Sequence, residues 1–199
     1  MKIRIAVCLL LYGLTLDASI AAETIVMMRH AEKPPLGLGQ LTCRGLNRAM
    51  ALPRLLMTRY GSPTAIFAPN PGVAKEDQGH DYNYVRPLAT IEPTAIRAGL
   101  PVDTRWGFKD IGPLQEALLA PKFAEARVFV AWEHHLLRSA ARDMLARLGA
   151  DAESVPPWAN DDYDSLYVLT VTTENGSRRA SFRVDRQGLD HLSDACPGD

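Results

Sequence analysis

The residues best suited to chemistry in this chain stand in two short runs. Arg29 and His30 close an apolar stretch at 24–28, and Glu133 and His134 follow the apolar run VFVAW. An arginine beside a histidine at the mouth of a strand suits an anionic substrate. The guanidinium of Arg29 offers a planar fork of donors that matches phosphate oxygens. His30 can be a nucleophile when its ring is neutral, and nearby arginines disfavour the charged form. A hydrogen bond to one ring nitrogen would aim the other. Phosphoryl transfer spreads negative charge over three equatorial oxygens, so fixed cationic donors are the main help a protein can give.

Periodicity supplies the elements that must position these residues. Residues 24–28 read as a short, fully buried strand, apolar and containing Ile and Val. A Pro/Gly-rich loop over 34–39 leads to a helix that Thr42 caps and that runs toward Tyr60. Its apolar face carries Ala49, Leu52, Leu55 and Leu56, and Pro53 is expected to kink or split it. A second strand covers 64–68. The polar stretch 69–84 reads as a long surface loop over the pocket. Helices are expected over 88–98, ended by Gly99, over 113–120, opened by Pro113, and over 136–148. A brief strand is expected at 100–102 and the clearest one at 127–132. The last two strands, 166–172 and 178–184, flank Asn175-Gly176, a strong hairpin signal.

Strands alternating with helices imply an α/β fold. The expectation is a three-layer α/β/α sandwich around a mostly parallel central sheet, with a C-terminal antiparallel hairpin at one edge. Ligands of such sheets sit at the carboxyl ends of the strands. His30 and His134 each follow such an end, so they are expected to share one pocket.

Four blocks resemble the histidine phosphatase superfamily, also called the phosphoglycerate-mutase-like family. MRHAEK (28–33) resembles its Arg-His-Gly-Glu signature in an Arg-His-Ala-Glu form. LTCRGLNRA (41–49) is similar to the segment that opens its first helix. VRPLATIEPTA (85–95) resembles the segment that supplies a second phosphate-binding arginine. FVAWEHHLL (129–137) is similar to the strand and turn that carry the second histidine. The blocks keep the family's order and cover most of residues 24–148. The resemblance implies that His30 forms a phosphohistidine and that Arg29, Arg86 and His134 bind the phosphoryl oxygens. Two departures stand out. The usual Ser-Ser-Pro run near the second strand is replaced by IFAPNPG, and Ala31 and His135 stand where glycines are common.

An alkoxide leaving group must be protonated, so a carboxylic acid near the pocket is expected. Glu133 is the first candidate: a phosphate dianion would raise its pKa, and it is expected to be held by the rigid strand before it. Asp110, after a Gly-containing loop, is the second. Glu32 reads as structural. No metal or other cofactor is expected, since arginines can supply the positive charge. Glu133, His134 and His135 are adjacent, a poor spacing for one zinc ion, and neither Cys-x-x-Cys nor His-Glu-x-x-His is present. Gly37-x-Gly39 lacks the lysine of a phosphate-binding loop.

The start of the chain reads as a secretory signal peptide over 1–22. Lys2 and Arg4 precede an apolar run, and Ala18, Ser19, Ala21 and Ala22 suit cleavage after Ala21 or Ala22. One domain is then expected over 23–199, periplasmic or secreted. Cys8 leaves with the leader, and Cys43 and Cys196 remain as a pair suited to a disulfide in an oxidising compartment. The formal net charge of -1 shows no basic face for nucleic acid. The expected substrate is a small-molecule or envelope phosphoester, with no stable membrane insertion after cleavage. The expected activity is phosphomonoester hydrolysis. A phosphomutase and a noncatalytic phosphate-binding or interaction protein are the alternatives.

Overall fold

The computed structural model describes residues 21–198. The expected leader therefore lies outside the described residues except for Ala21 and Ala22, which extend the first strand. That strand, β1, covers Ala21–Arg29. It is followed by α1 (Cys43–Tyr60), β2 (Ala65–Phe67), β3 (Ala74–Asp77), β4 (His80–Asn83) and α2 (Arg86–Ala98). Then come β5 (Val102–Asp103), α3 (Ile111–Leu118), β6 (Arg127–Trp132), α4 (His134–Arg147), β7 (Ser165–Glu174) and β8 (Ser177–Arg186).

Six strands form the central sheet in the order β5-β2-β6-β1-β7-β8. The first four run parallel. β7 is antiparallel to β1 and β8 to β7, so the C-terminal hairpin forms one edge as expected. Asn175 and Gly176 both take positive φ, 50° and 79°, which a two-residue hairpin turn needs.

Alternation along the strands builds the two outer layers. Ile25, Met27, Val128, Val130 and Trp132 face α3 and α4, where Leu114, Leu118, Leu137 and Met144 meet them. Val26, Met28, Phe129 and Ala131 face the other way, onto Leu52 and Leu56 of α1 and Ile91 and Ala95 of α2. Burying a leucine such as Leu52 contributes about 1.5–3 kcal/mol. The three-layer sandwich is thus present. α1 runs unbroken through Pro53, so the expected split does not occur. The proline forfeits one helical hydrogen bond, and burial of Leu52 and Leu56 on either side of it holds the helix in place.

Two other expectations are corrected. The stretch 69–84 is not all loop, because β3 and β4 pair as a small separate hairpin around Gln78-Gly79. Its strands, AKED and HDYN, are short and polar, so they carry no hydrophobic alternation to read. α2 and α4 each begin two residues before their expected starts, at Arg86 and His134.

Cys43, at the first turn of α1, is bonded to Cys196 across a Cα–Cα distance of 4.5 Å. Asn47 of α1 donates to the carbonyls of Ser193 and Ala195 at 3.0 and 2.8 Å. The C-terminal tail is therefore strapped along α1. Among the described residues, no helix is long and apolar enough to cross a membrane.

Candidate phosphate-binding site

The pairing of β1 with β6 sets the heart of the site. Arg29 lies level with Trp132 in the parallel ladder, and the His30 N–H donates to the Trp132 carbonyl at 3.0 Å. The two runs singled out in the sequence therefore leave the sheet side by side at its carboxyl edge. Arg86 arrives on the first turn of α2, where its own N–H donates to the Gly39 carbonyl at 3.0 Å. Burial is deep: Arg29, His30, Arg86 and His134 expose 4%, 3%, 1% and 6% of their surface.

The ring of His30 is held in one orientation. Its Nδ1 lies 2.8 Å from the Ala31 carbonyl. A carbonyl only accepts, so Nδ1 carries the proton and Nε2 keeps its lone pair. Burial pushes the pKa of His30 well below the ordinary histidine range, and Arg86, Arg29 and His134 push it further. Burial therefore favours the neutral ring. Tyr84 packs edge-on against it, ring centres 6.0 Å apart.

The MRHAEK loop is fixed from behind. Glu32 accepts from Arg48 Nε at 3.1 and 3.0 Å and from Nη2 at 2.8 Å, as expected of a structural residue. Arg48 also reaches Asp164, Gln187 and Asp190. Gly45 sits so close to this loop that a Cβ there would meet the Glu32 carbonyl at 2.5 Å. The glycine in LTCRGLNRA is thus a packing requirement.

The two arginines and His134 are each partly engaged. Arg29 Nη1 donates to the carbonyl of Asn160 at 2.6 Å, and its Nη2 donates to the Tyr163 hydroxyl at 3.3 Å. The Tyr163 ring stacks 3.9 Å from the guanidinium. Arg86 Nη1 donates to Asp77 Oδ2 at 2.6 Å and to the Gly37 carbonyl at 3.1 Å. His134 Nε2 faces Asn160 Oδ1 at 2.9 Å. Its Nδ1 lies 2.8 Å from Glu133 Oε1, out of line for a full hydrogen bond.

What these contacts leave over is informative. Arg29 Nε, Arg86 Nε, the Tyr84 hydroxyl and His134 Nδ1 are buried with no hydrogen-bond partner. Orphaned buried donors are rare in native proteins and mark places where something else completes the set. Here they lie around His30, and two come from the arginines singled out in the sequence. The arrangement can hold a tetrahedral oxyanion beside His30 Nε2.

The two candidate acids have different surroundings. β6 ends at Trp132, so Glu133 has already left the strand and caps α4, accepting from the Leu136 N–H at 2.9 Å. Burial works to raise its pKa, but contact with His134 and the Leu136 amide outweigh it and hold the carboxyl down at about 2. With these partners Glu133 is a carboxylate. Asp110 is exposed, precedes α3 and accepts the Gly107 N–H at 2.9 Å. It has no hydrogen bond or ion pair to His30, Arg29, Arg86 or His134. Phe108, two residues before it, packs on Tyr84, ring centres 5.3 Å apart.

Glu133, His134 and His135 also bring potential metal ligands within 4.8 Å of one another. His135 is exposed and stacks on His134, ring centres 4.0 Å apart. Asp77, Tyr84, Asn160 and Tyr163 were not singled out in the sequence. Tyr84 adjoins the arginine segment and could have been noticed there. Asn160 and Tyr163 lie in a polar stretch before β7 that carries no motif.

The fold is that of the histidine phosphatase superfamily. Among solved structures, the chain is similar to a protein from Nakamurella multipartitia assigned as the phosphohistidine phosphatase SixA. The identity is 16%, with 83% of this chain and 96% of that one covered and a TM-score of 0.53. It is also similar to a mycobacterial glucosyl-3-phosphoglycerate phosphatase, at 15% identity, 82% and 97% coverage and a TM-score of 0.51. No protein-family model matches the chain, and no curated protein matches it. At these identities the likeness speaks to the fold.

Proposed function

We propose that the protein is a phosphomonoesterase that works through a phosphohistidine on His30. The observation that carries this reading is the neutral His30, its Nδ1–H tied to a carbonyl, beside His134 and among buried, unpartnered donors of Arg29 and Arg86. Nε2 attacks phosphorus in line, the P–O bond to the leaving group breaks, and the three equatorial oxygens are held by the two arginines and His134. Water then attacks the phosphohistidine and returns His30 to its starting state.

Glu133 is the general acid in this reading, and Asp110 is the second candidate. Glu133 starts as a carboxylate, so it must first take up a proton. A substrate dianion beside it raises its pKa toward that requirement. Once it has given the proton to the leaving group, the carboxylate is ready to accept one from the attacking water.

The substrate we favour is an exported or envelope phosphoester, a reading that rests on the signal-like start of the chain. The chemistry needs no metal, because arginines supply the positive charge. Purified protein should hydrolyse an aryl phosphate in excess chelator, and strict dependence on a divalent ion would overturn metal independence. His30→Ala should lose at least about two to four orders of magnitude in kcat. Turnover of 3-phosphoglycerate without net phosphate release would favour the mutase. Phosphate binding without turnover across a broad phosphoester panel would favour the noncatalytic alternative.

A further inference from the structure

Two of the proposed phosphoryl ligands lean on one stretch without a motif, the bend over 158–164 ahead of β7. Trp158 anchors it. The ring is buried, stacks on Tyr167 of β7 with ring centres 4.0 Å apart, and donates from Nε1 to the Asp162 carbonyl at 3.1 Å. Asp162 closes the bend from the other side. Its N–H donates to the Ala159 carbonyl at 3.2 Å, and its Oδ1 accepts the N–H of Asp164 at 3.0 Å and of Ser165 at 2.9 Å. Asn160 lies inside this closed turn, so its backbone is fixed on both sides even though the residue is exposed.

Asn160 turns its two oxygens to two different ligands. Its backbone carbonyl accepts from Arg29 Nη1 at 2.6 Å, and its Oδ1 lies 2.9 Å from His134 Nε2. A carboxamide oxygen only accepts, so Nε2 carries a proton. The imidazole can otherwise turn over and exchange its nitrogens, and the hydrogen bond to Asn160 selects one orientation. In that orientation Nδ1, on the side of Glu133 Oε1, is the nitrogen left for a phosphoryl oxygen. His134 itself is buried, so a misplaced ring nitrogen there would go unsatisfied.

We infer that Asn160 is a positioning residue for phosphoryl transfer: its side chain fixes the ring of His134 so that Nδ1 is presented to the phosphoryl group. This rests on the proposed phosphatase reading. The carbonyl of the same residue holds Arg29, so one position sets the spacing of two ligands that leave the ends of β1 and β6. The two contacts are separable, since a side-chain substitution leaves the carbonyl in place.

A double-mutant cycle with His134 tests this. Asn160→Ala should raise KM for an aryl phosphate and weaken inorganic phosphate by about tenfold each, the scale of one hydrogen bond to a charged group. On a His134→Ala background the same substitution should change KM by less than about twofold, because nothing is left to position. Equal losses on both backgrounds would overturn the assignment, since Asn160 would then act on the bend or on Arg29. NMR of protein labelled with nitrogen-15 at histidine reads the contact itself. The Nε2–H of His134 should be protected from exchange in the wild type and in Asn160→Asp, which keeps the acceptor, and unprotected in Asn160→Ala. Equal protection in the wild type and Asn160→Ala would overturn the contact. If no aryl phosphate turns over, the phosphatase reading fails on its own. The ring-proton signature and phosphate calorimetry on the same variants then still decide whether Asn160 positions His134.

Discussion

At the scale of single residues, protonation states carry the account. His30 is neutral because burial and two arginines oppose its charge, and its tautomer is fixed by the Ala31 carbonyl. Acid therefore inactivates it only well below the usual histidine range. The acidic limb of kcat/KM that belongs to His30 should fall below about pH 6.5. A limb at or above that value that disappears with His30 replacement would show an ordinary, solvated histidine. In the proposed mechanism Glu133 has the opposite task. Glu133→Gln should slow alkyl phosphates severely and spare nitrophenyl phosphate, whose leaving group departs without a proton. Asp110→Asn should behave almost like the parent, in keeping with its exposed carboxylate turned to Gly107. The reverse pattern would move the acid to Asp110. Equal losses on both substrates for Glu133→Gln would leave Glu133 only the task of orienting His134.

At the scale of elements, the hairpin and the disulfide make separate predictions. Gly37 has φ of 74° and touches Asp77 through its bare Cα face. Gly37→Ala should push the hairpin off Arg86 and raise KM for an aryl phosphate about tenfold or more, from strain of about 1–3 kcal/mol. An unchanged KM would mean that Arg86 does not depend on the hairpin. The Cys43–Cys196 bond closes a sequence separation of 153 residues. On chain-entropy grounds its loss costs about 4–5 kcal/mol, so reductant should lower the melting temperature by several degrees. No shift would mean that the hydrogen bonds along α1 hold the tail unaided. These elements also show what the sequence could carry. The parallel core was legible because VFVAW and residues 24–28 are apolar on both faces, and Arg29-His30 and Glu133-His134 were legible because they sit directly after such strands. The β3–β4 hairpin was not, since four-residue polar strands have no apolar period. The contacts of Asn160 and Tyr163 with Arg29 were not, since they join residues more than a hundred positions apart through a segment without pattern.

At the scale of the whole molecule, one buried charge sits far from the chemistry. Glu23 on β1 is fully buried, and its nearest cation, Arg178 of β8, is 3.5 Å away. Burial raises its pKa to about 8 in spite of Arg178. The folded state therefore holds a proton that the unfolded chain releases near pH 4.5. Stability from this group is complete below pH 4.5 and is lost as pH rises through about 8. Glu23→Gln, which cannot ionise, should melt several degrees above the wild type at pH 9 and close to it at pH 5. Parallel melting curves of the two proteins across that range would show that Arg178 fully compensates the charge.

The central claim is that phosphoryl passes through His30, and rapid-quench mass spectrometry of the protein turning over an aryl phosphate tests it most directly. The account predicts one added phosphoryl group, confined to the peptide that contains His30, lost in acid and stable in base, and absent from His30→Ala. Hydrolysis at full rate with no adduct on His30, or with the phosphoryl group on another residue, would contradict it.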